Sequence, residues 1–311
     1  MRAVVVTRTG GPEVLEVRDE PEPTPGPGQL LVDVEAIGVN FRDVYEREGN
    51  YGGPPPLIAG VEGCGTVVGS GERVAWVGAP GSYAERVVVD AEKAVPVPDG
   101  LAPETAAAAL LQGMTAHYLA RSTYPVGPAD TAVVHAAAGG VGLLLTQIVK
   151  LAGGTVIGTT SSDEKAELAR GAGADHVIGY DGFAEQVRGL TGGVGANVVY
   201  DGIGAATFAE SLKALRPRGM VALYGAASGP PPPFNLGELA AGGSLYVTRP
   251  TLVHYTLTRE ELLERASDVF GWILAGRLDV RIGATYPLEQ ARQAQEDLQG
   301  RRTTGKLILL P

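Results

Sequence analysis

The spacing of apolar residues makes the first third of the chain β-rich. Ala3–Thr7 is a short apolar run, and between Val32 and Ala36 apolar and acidic residues alternate with the period of a half-buried strand. Arg73–Val77 and Glu85–Val89 are further predicted strands, separated from their neighbours by glycine and proline clusters. Many short strands joined by such turns favour a compact, barrel-like domain.

From about residue 131 the pattern changes to strands that alternate with helices. A stripe of helical period runs over Val141–Ala152, and a second helix is predicted over Ser162–Arg170. Short apolar runs predict strands at Thr131–His135, Thr155–Thr160, His176–Tyr180, Asn197–Asp201, Met220–Tyr224 and Ser244–Thr248. This alternation predicts an α/β fold with a doubly wound parallel sheet.

The segments on either side of this region do not follow its pattern. An alanine-rich helix is predicted from Pro103 to about Ala120, and a capping box at Thr258 opens a helix to about Gly276. A helix at Leu288–Gln299 and a strand at Lys306–Leu310 follow. We expect these last segments to return to the first domain, which gives domains of residues 1–114 completed by 253–311, and 115–252.

Composition excludes several classes of protein. The chain has 311 residues, a net charge of −10 and no concentrated basic stripe, so a nucleic-acid partner is not expected. No apolar run reaches the roughly 18 residues of a membrane span. The apolar run at the N-terminus is too short for a secretion signal, so we expect a cytoplasmic location.

A turn of small residues at Ala136–Gly142 joins a predicted strand to a predicted helix. This context is typical of a dinucleotide site, because small residues let the backbone approach a pyrophosphate and the helix N-terminus favours negative charge. Ala137 stands in place of the first glycine of the usual motif. The similar run Gly192–Gly195 precedes a strand and is predicted to be a plain loop.

The residues after the second strand of this region favour NADPH over NADH. A carboxylate that grips the ribose of NAD is expected about 20 residues after the loop. Hydroxyl side chains at 159–162 occupy that place, and Lys165 can supply positive charge. Asp163 and Glu164 are interpreted as acids of a first helical turn, where they oppose the helix dipole favourably.

The sequence predicts no metal site. Cys64 is the only cysteine, and no pair among the four histidines has a close spacing on a shared face. Cys64 is interpreted as a small buried residue. His135 and His176 lie in or beside predicted strands and are interpreted as core histidines.

Several motifs together resemble the quinone oxidoreductase (zeta-crystallin-like) family of the zinc-free medium-chain dehydrogenases/reductases. They are Gly38–Asp43, Leu111–Ala116, His135–Gly142, Val199–Asp201, Gly243–Pro250 and Thr304–Lys306. The resemblance implies a GroES-like domain, an inserted Rossmann domain, NADPH in the interdomain cleft and a homodimer made through the Rossmann domains. It also implies that Asn40 and Val61 replace two zinc ligands of metal-dependent relatives, a cysteine and a histidine.

The resemblance further implies roles for individual residues. Asn40, Tyr45 and Tyr51 are expected at the quinone and nicotinamide end. Expected cofactor contacts are Thr115, Ala138, Gly139, Gly140, Val141, Ser161, Lys165, Tyr180, Gly202, Tyr224 and Arg301. Ser161 and Gly202 depart from the glycine and the serine that are common in the family, and a loop is shortened after Gly71.

The implied activity is metal-free reduction of a quinone or a related small electrophile by NADPH, through hydride or electron transfer. No convincing general acid is apparent, so solvent is expected to protonate the product. Two alternatives stay open at this stage. One is reduction of an activated C=C bond in an enal or enone, and the other is a non-catalytic, crystallin-like NADPH-binding protein.

Overall fold

The computed structural model describes all 311 residues and divides them into two compact units. One consists of Met1–Met114 and Thr256–Pro311, and the other of Thr115–Tyr255. The return to the first unit therefore begins three residues later than the sequence-based boundary at 252/253.

The first unit is built mainly of β-strands. Its strands are β1 (Arg2–Val6), β2 (Leu15–Asp19), β3 (Gln29–Val39), β4 (Leu57–Ile58), β5 (Glu62–Val67), β6 (Arg73–Val77), β7 (Arg86–Asp90), β8 (Val95–Pro96), β15 (Ile282–Pro287) and β16 (Lys306–Leu310). A seven-stranded sheet runs in the order β15-β16-β3-β5-β6-β8, with β7 paired to β3, and a three-stranded sheet has the order β2-β1-β4. Its helices are α1 (Phe41–Arg47), α8 (Arg259–Leu274) and α9 (Ala291–Gln299), and α2 (Pro103–Tyr118) starts in this unit.

The core of the first unit joins both ends of the chain. Val4, Trp76 and Tyr83 from the N-terminal part pack in one buried cluster with Leu288 and Leu307 from the C-terminal part. β16 lies inside the seven-stranded sheet, antiparallel to β3 and parallel to β15. The C-terminal strand is therefore an inner strand of this sheet and not an appendage to it.

The second unit is built on a six-stranded parallel sheet. Its strands are β9 (Thr131–Val134), β10 (Thr155–Thr159), β11 (His176–Ile178), β12 (Ala196–Asp201), β13 (Leu215–Leu223) and β14 (Tyr246–Thr248). Their order in the sheet is β11-β10-β9-β12-β13-β14. Its helices are α3 (Gly140–Leu151), α4 (Asp163–Gly171), α5 (Phe183–Leu190), α6 (Phe208–Lys213) and α7 (Gly237–Ala241). If these six strands are numbered 1 to 6 along the chain, their order in the sheet is 3-2-1-4-5-6, which is that of a Rossmann fold. The predicted fold class is confirmed.

Most predicted elements in the second unit agree with the structure to within one or two residues at their ends. The main exception is β13, which begins at Leu215, five residues before its predicted start. The run Gly192–Gly195 lies outside any helix or strand, as predicted. In the first unit, local sequence patterns predicted none of the elements β2, β4, β5, β8, β15 and α1.

Candidate functional site

The turn after β9 folds tightly onto its own backbone. Gly139 N–H donates a 2.8 Å hydrogen bond to the carbonyl of Ala136, which has a left-handed φ of +50°. A Cβ on Gly142 would overlap that carbonyl oxygen and lie 2.8 Å from Cα of Ala137. Only glycine fits at 142 without a shift of backbone. The turn is followed directly by α3. The first N–H groups of this helix have no intrahelical acceptors, so they form a favourable site for an anion.

The sequence assigned Ser161, Lys165 and Tyr180 to one subsite, and contacts between them connect this group to the turn through Tyr180. Nζ of Lys165 donates to Oγ of Ser161 at 3.5 Å, and Ala136 N–H donates to the hydroxyl of Tyr180 at 3.1 Å. Ser161 and Tyr180 line a cavity of about 460 Å³, which Arg170 also lines. Asp163 and Asp181 border the same cavity, so its charge is mixed.

The four hydroxyl side chains at 159–162 have different roles. The Thr159 hydroxyl is buried and lies 2.9 Å from Nδ1 of His135. Ser162 caps α4 by accepting the backbone N–H of Lys165. Ser161 is exposed and directly beside Lys165, so it is the best placed of the four to meet a ligand.

The end of β12 lies next to the end of β9, where the strand order of the sheet reverses. Ligands of doubly wound sheets bind at this point. Asp201 is fully buried and accepts the N–H groups of Ile203 and Gly204 at 2.8 and 3.0 Å, which shapes the turn that contains Gly202. A Cβ on Gly202 would lie 2.8 Å from the ring of Tyr224. Gly202 and Tyr224, two predicted cofactor contacts, are therefore neighbours.

His135 is a core residue, as the sequence predicts. Nε2 lies 3.0 Å from Oγ of Ser211, which donates in turn to Asp201 at 3.1 Å. Burial lowers the pKa of His135 to about 4, so the ring is neutral at pH 7. The expectation that His176 is also a core residue is wrong. It begins β11 and its side chain is exposed.

In the first unit, Asn40 is the centre of a buried polar cluster. Its Nδ2 donates to the Gly38 carbonyl at 3.2 Å and to Oε2 of Glu62 at 2.8 Å. Its Oδ1 accepts from Nζ of Lys306 at 2.7 Å. Lys306 and Glu62 also form an ion pair of 2.5 Å, with side chains 1% and 0% exposed. Oε1 of Glu62 accepts the Leu111 N–H at 2.6 Å, so both carboxylate oxygens are occupied.

Asp43 extends this cluster on α1. Its Oδ2 accepts the backbone N–H of Asn40 and the hydroxyl of Tyr83, each at 2.8 Å, whereas its buried Oδ1 has no hydrogen-bond partner. Burial raises the pKa of Asp43 to about 7, against the lowering effect of these two donors. Asp43 is therefore a carboxyl that can change protonation near neutral pH.

Tyr45 and Tyr51 form an aromatic surface at α1. Their ring centres are 6.0 Å apart, and Phe41 lies 6.2 Å from Tyr45. The guanidinium of Arg42 lies over the Tyr51 ring at 5.6 Å. The two predicted substrate aromatics are thus neighbours, and the Tyr51 side chain is exposed.

Two further predicted cofactor contacts, Thr115 and Arg301, belong to different units. Thr115 is buried in α2 and is the first residue of the second unit. Arg301 belongs to the first unit, on an exposed turn after α9, and has a left-handed φ of +56°.

Four residues of this cluster have no role in the sequence-based predictions: Glu62, Lys306, Asp43 and Tyr83. For two of these residues, Glu62 and Lys306, the sequence contains a pattern that indicates a buried charge. Glu62 is the only charge among the small residues Gly60–Gly65, and Lys306 opens the apolar run Leu307–Leu310. A lone acid and a lone base, each in a strand that is otherwise apolar, favour a buried ion pair, since buried charges are nearly always paired.

Two family models match the chain. Residues 26–99 match the alcohol dehydrogenase GroES-like domain, and residues 140–268 match a model described as zinc-binding dehydrogenase. A quinone oxidoreductase of Pseudomonas aeruginosa is 46% identical over 97% of both chains. The chain belongs to the quinone oxidoreductase family of the medium-chain dehydrogenases/reductases. It is therefore an oxidoreductase.

Two other members of the family bear on cofactor and substrate. A mycobacterial protein, with a structure determined in complex with NADPH, is 49% identical and superposes with a TM-score of 0.97 over all of both chains. A 2-haloacrylate reductase from a Burkholderia species is 42% identical over 99% of this chain and 98% of its own.

The residues of this chain do not fit the zinc ion that one model's description names. Asn40 and Val61 carry neither a thiolate nor an imidazole, and no three His, Cys, Asp or Glu side chains are grouped to hold a metal ion. Cys64 is fully buried, and burial raises the pKa of its thiol to about 12. As to membranes, none of the helices combines the length and the apolar character that a crossing requires.

Proposed function

We propose that this protein is an NADPH-dependent quinone reductase that uses no metal. The observation that carries the proposal is the tight turn at Ala136–Gly142, which leads directly into α3. Close backbone packing in this turn requires glycine at position 142. Family membership and the NADPH complex of the mycobacterial relative support it. When bound, NADPH supplies the hydride or the electrons.

Most of the proposed cofactor contacts lie at or just after strand ends of the second unit. Ala138, Gly139, Gly140 and Val141 would hold the pyrophosphate at the start of α3. Ser161, Lys165 and Tyr180 would surround the 2′-phosphate, where a lysine supplies charge and hydroxyls supply hydrogen bonds. Thr115, Gly202, Tyr224 and Arg301 would contact the rest of the cofactor.

For the acceptor, the proposal assigns binding to the aromatic surface of α1. Tyr45 and Tyr51 offer ring faces on which a flat quinone can stack. Asn40 would orient the reacting groups by hydrogen bonding. The chain would contribute position and the exclusion of water, which account for a large part of the rate in such reactions.

Cofactor preference tests the 2′-phosphate subsite. We expect kcat/KM for NADPH to exceed that for NADH at least tenfold, about 1.4 kcal/mol of selectivity. Lys165→Met should remove most of this preference, because it should lower kcat/KM for NADPH and leave kcat/KM for NADH unchanged. Lys213→Met is the control, because Lys213 is an exposed lysine of the same unit paired with Glu210. A wild-type enzyme that prefers NADH would reject the assignment of Lys165.

Reduction of an activated C=C bond is the second candidate, favoured by the similarity to a 2-haloacrylate reductase. A steady-state screen separates the two. NADPH oxidation should be measured with 1,4-benzoquinone and 1,4-naphthoquinone, and in parallel with 2-chloroacrylate and an enone. We expect higher kcat/KM with the quinones, unchanged by EDTA. A higher value with the unsaturated acid would favour the second candidate, and NADPH binding without turnover would favour a non-catalytic protein.

We further propose a homodimer formed through the second unit. β14 is an edge strand of the parallel sheet, and its Tyr246 side chain is 57% exposed. Edge strands with exposed aromatic residues are suited to pairing with another chain. Light scattering should give twice the chain mass of 32.1 kDa, and Tyr246→Lys should lower the mass toward that of the monomer. A monomeric wild-type protein would contradict this.

A further inference from the structure

The orientation of the Asn40 amide is fixed by three contacts of known polarity. Its two N–H groups face the Gly38 carbonyl and the Glu62 carboxylate, and its oxygen faces the Lys306 ammonium. A flipped amide would set oxygen against two acceptors and N–H groups against a donor. All three contacts would then become repulsive, in a region where Asn40 is only 4% exposed and water cannot substitute.

The partners of the amide are themselves held in place. The Glu62 carboxylate is shared among Asn40, Lys306 and the Leu111 backbone, so it cannot rotate without losing hydrogen bonds. A Cβ on Gly38 would lie 2.8 Å from both Cδ of Glu62 and Cε of Lys306. The pair therefore packs directly over the strand that leads into Asn40.

We propose that Lys306 and Glu62 are positioning residues which lock the Asn40 amide, so that Asn40 can meet a ligand only as a hydrogen-bond acceptor through Oδ1. Both donor positions of Asn40 are already used, so a further hydrogen bond to this amide can only be accepted by Oδ1, which accepts from Lys306 and faces the backbone N–H of Asp43 in the capping box of α1. The ligand groups that Asn40 selects are then N–H or O–H groups, such as a carboxamide or the hydroxyl of a reduced product. The carbonyl oxygen of a quinone is not one of them.

This inference rests on the proposed reductase function, and an experiment without cofactor separates the two. In uniformly ¹⁵N-labelled protein, the Asn40 side-chain amide is assigned by comparison with Asn40→Ala. We expect two separate N–H signals that are protected from hydrogen exchange. In Glu62→Leu/Lys306→Met, which removes both charges of the buried pair together and so favours retention of the fold, the protection should fall at least tenfold. An Asn40 amide that is unprotected in the wild-type protein would overturn the locked orientation whatever the enzyme reduces.

Kinetics then test whether the lock serves the reaction. Lys306→Met and Glu62→Leu/Lys306→Met should each lower kcat/KM for the quinone at least tenfold and change the dissociation constant of NADPH by less than threefold. In an Asn40→Ala background, Lys306→Met should cost less than a further threefold, because a positioning residue has nothing left to position. Lys150→Met is the control. It removes an ion pair between Lys150 and Asp175, both of which lie in the second unit, and it should keep wild-type kcat/KM.

Two outcomes would contradict the proposal. Effects of Lys306→Met that are the same with and without Asn40 would mean that Lys306 acts independently of the amide. Wild-type kcat/KM in Glu62→Leu/Lys306→Met would mean that the amide orientation is irrelevant to turnover. If NADPH binding or turnover is absent from the wild-type protein, the proposed function fails, and the exchange measurement still decides the orientation.

Discussion

The hydroxyl of Tyr83 donates a 2.8 Å hydrogen bond to Oδ2 of Asp43, and neither side chain reaches solvent. The other oxygen of the same carboxyl, Oδ1, is buried without a partner. An ionised carboxylate with one oxygen unpaired in an apolar surrounding is unfavourable, which accounts for a pKa of about 7 in place of 3.8.

This carboxyl makes stability depend on pH. Between about pH 4 and pH 7 the folded chain binds more of the Asp43 proton than the unfolded chain does, so this group's contribution to stability falls as pH rises. It becomes constant about one pH unit above the folded pKa of about 7. The total change is about 4 kcal/mol at most. Urea denaturation from pH 4 to 8 should show a slope that Asp43→Asn removes and the exposed Asp99→Asn keeps. Parallel curves for wild type and Asp43→Asn would contradict the raised pKa.

The turn after β9 should not tolerate a methyl group at 142. Gly142→Ala places Cβ against backbone atoms of Ala136 and Ala137, which cannot rotate away. We expect NADPH affinity to fall at least tenfold, measured by quenching of protein fluorescence. Gly189→Ala is the matched control: it lies in α5 with open space around its Cβ and should gain about 0.5–1 kcal/mol of stability with unchanged affinity. Normal NADPH binding by Gly142→Ala would remove this turn from the cofactor site.

Ala136 carries backbone strain that glycine would relieve. Its φ of +50° costs a residue with a Cβ about 1 kcal/mol, and its side chain is exposed, so little packing is lost on truncation. Ala136→Gly should therefore raise the free energy of unfolding by about 1 kcal/mol. Ala137→Gly, at a fully buried position without positive φ, should lower it. Equal destabilisation of both variants in chemical denaturation would argue against strain at 136.

Cys64 should be chemically inert in the folded protein. It is fully buried, and burial raises the pKa of the thiol to about 12, so almost no thiolate is present at pH 8. Reaction with Ellman's reagent should be at least about a hundredfold slower in buffer than in 6 M guanidinium chloride, where one thiol per chain should react. Fast reaction under native conditions would show that β5 opens to solvent.

The sequence predicted the second unit more completely than the first. Its central strands β9, β10 and β12 are buried on both faces, so each is a short apolar run in the sequence. β5 and β15 lack such a signal. β5 contains Gly63, Cys64 and Gly65, and β15 alternates between half-buried and exposed residues. Their strand conformation depends on pairing with neighbours far along the chain, which no local pattern encodes.

In the candidate site, too, some features could be predicted from local sequence and others only from the tertiary structure. Asn40 could be named from the family motif, but its partners could not, because Glu62 and Lys306 lie 22 and 266 positions away. Thr159 was grouped with Ser161 by sequence, and only the sheet shows that it faces the core with His135. Local motifs therefore point to individual candidate residues, and the tertiary contacts determine which of their atoms are available to a ligand.

The inner position of β16 has a consequence for how the protein is made. Residues 115–255 leave the ribosome as one uninterrupted segment and can close their core as soon as they emerge. The sheet of the other unit must wait for residues 306–310, and until then the side of β3 that β16 covers is an open edge able to pair with another nascent chain. The inserted unit can thus mature during translation, while its host is finished only when synthesis reaches the last strand.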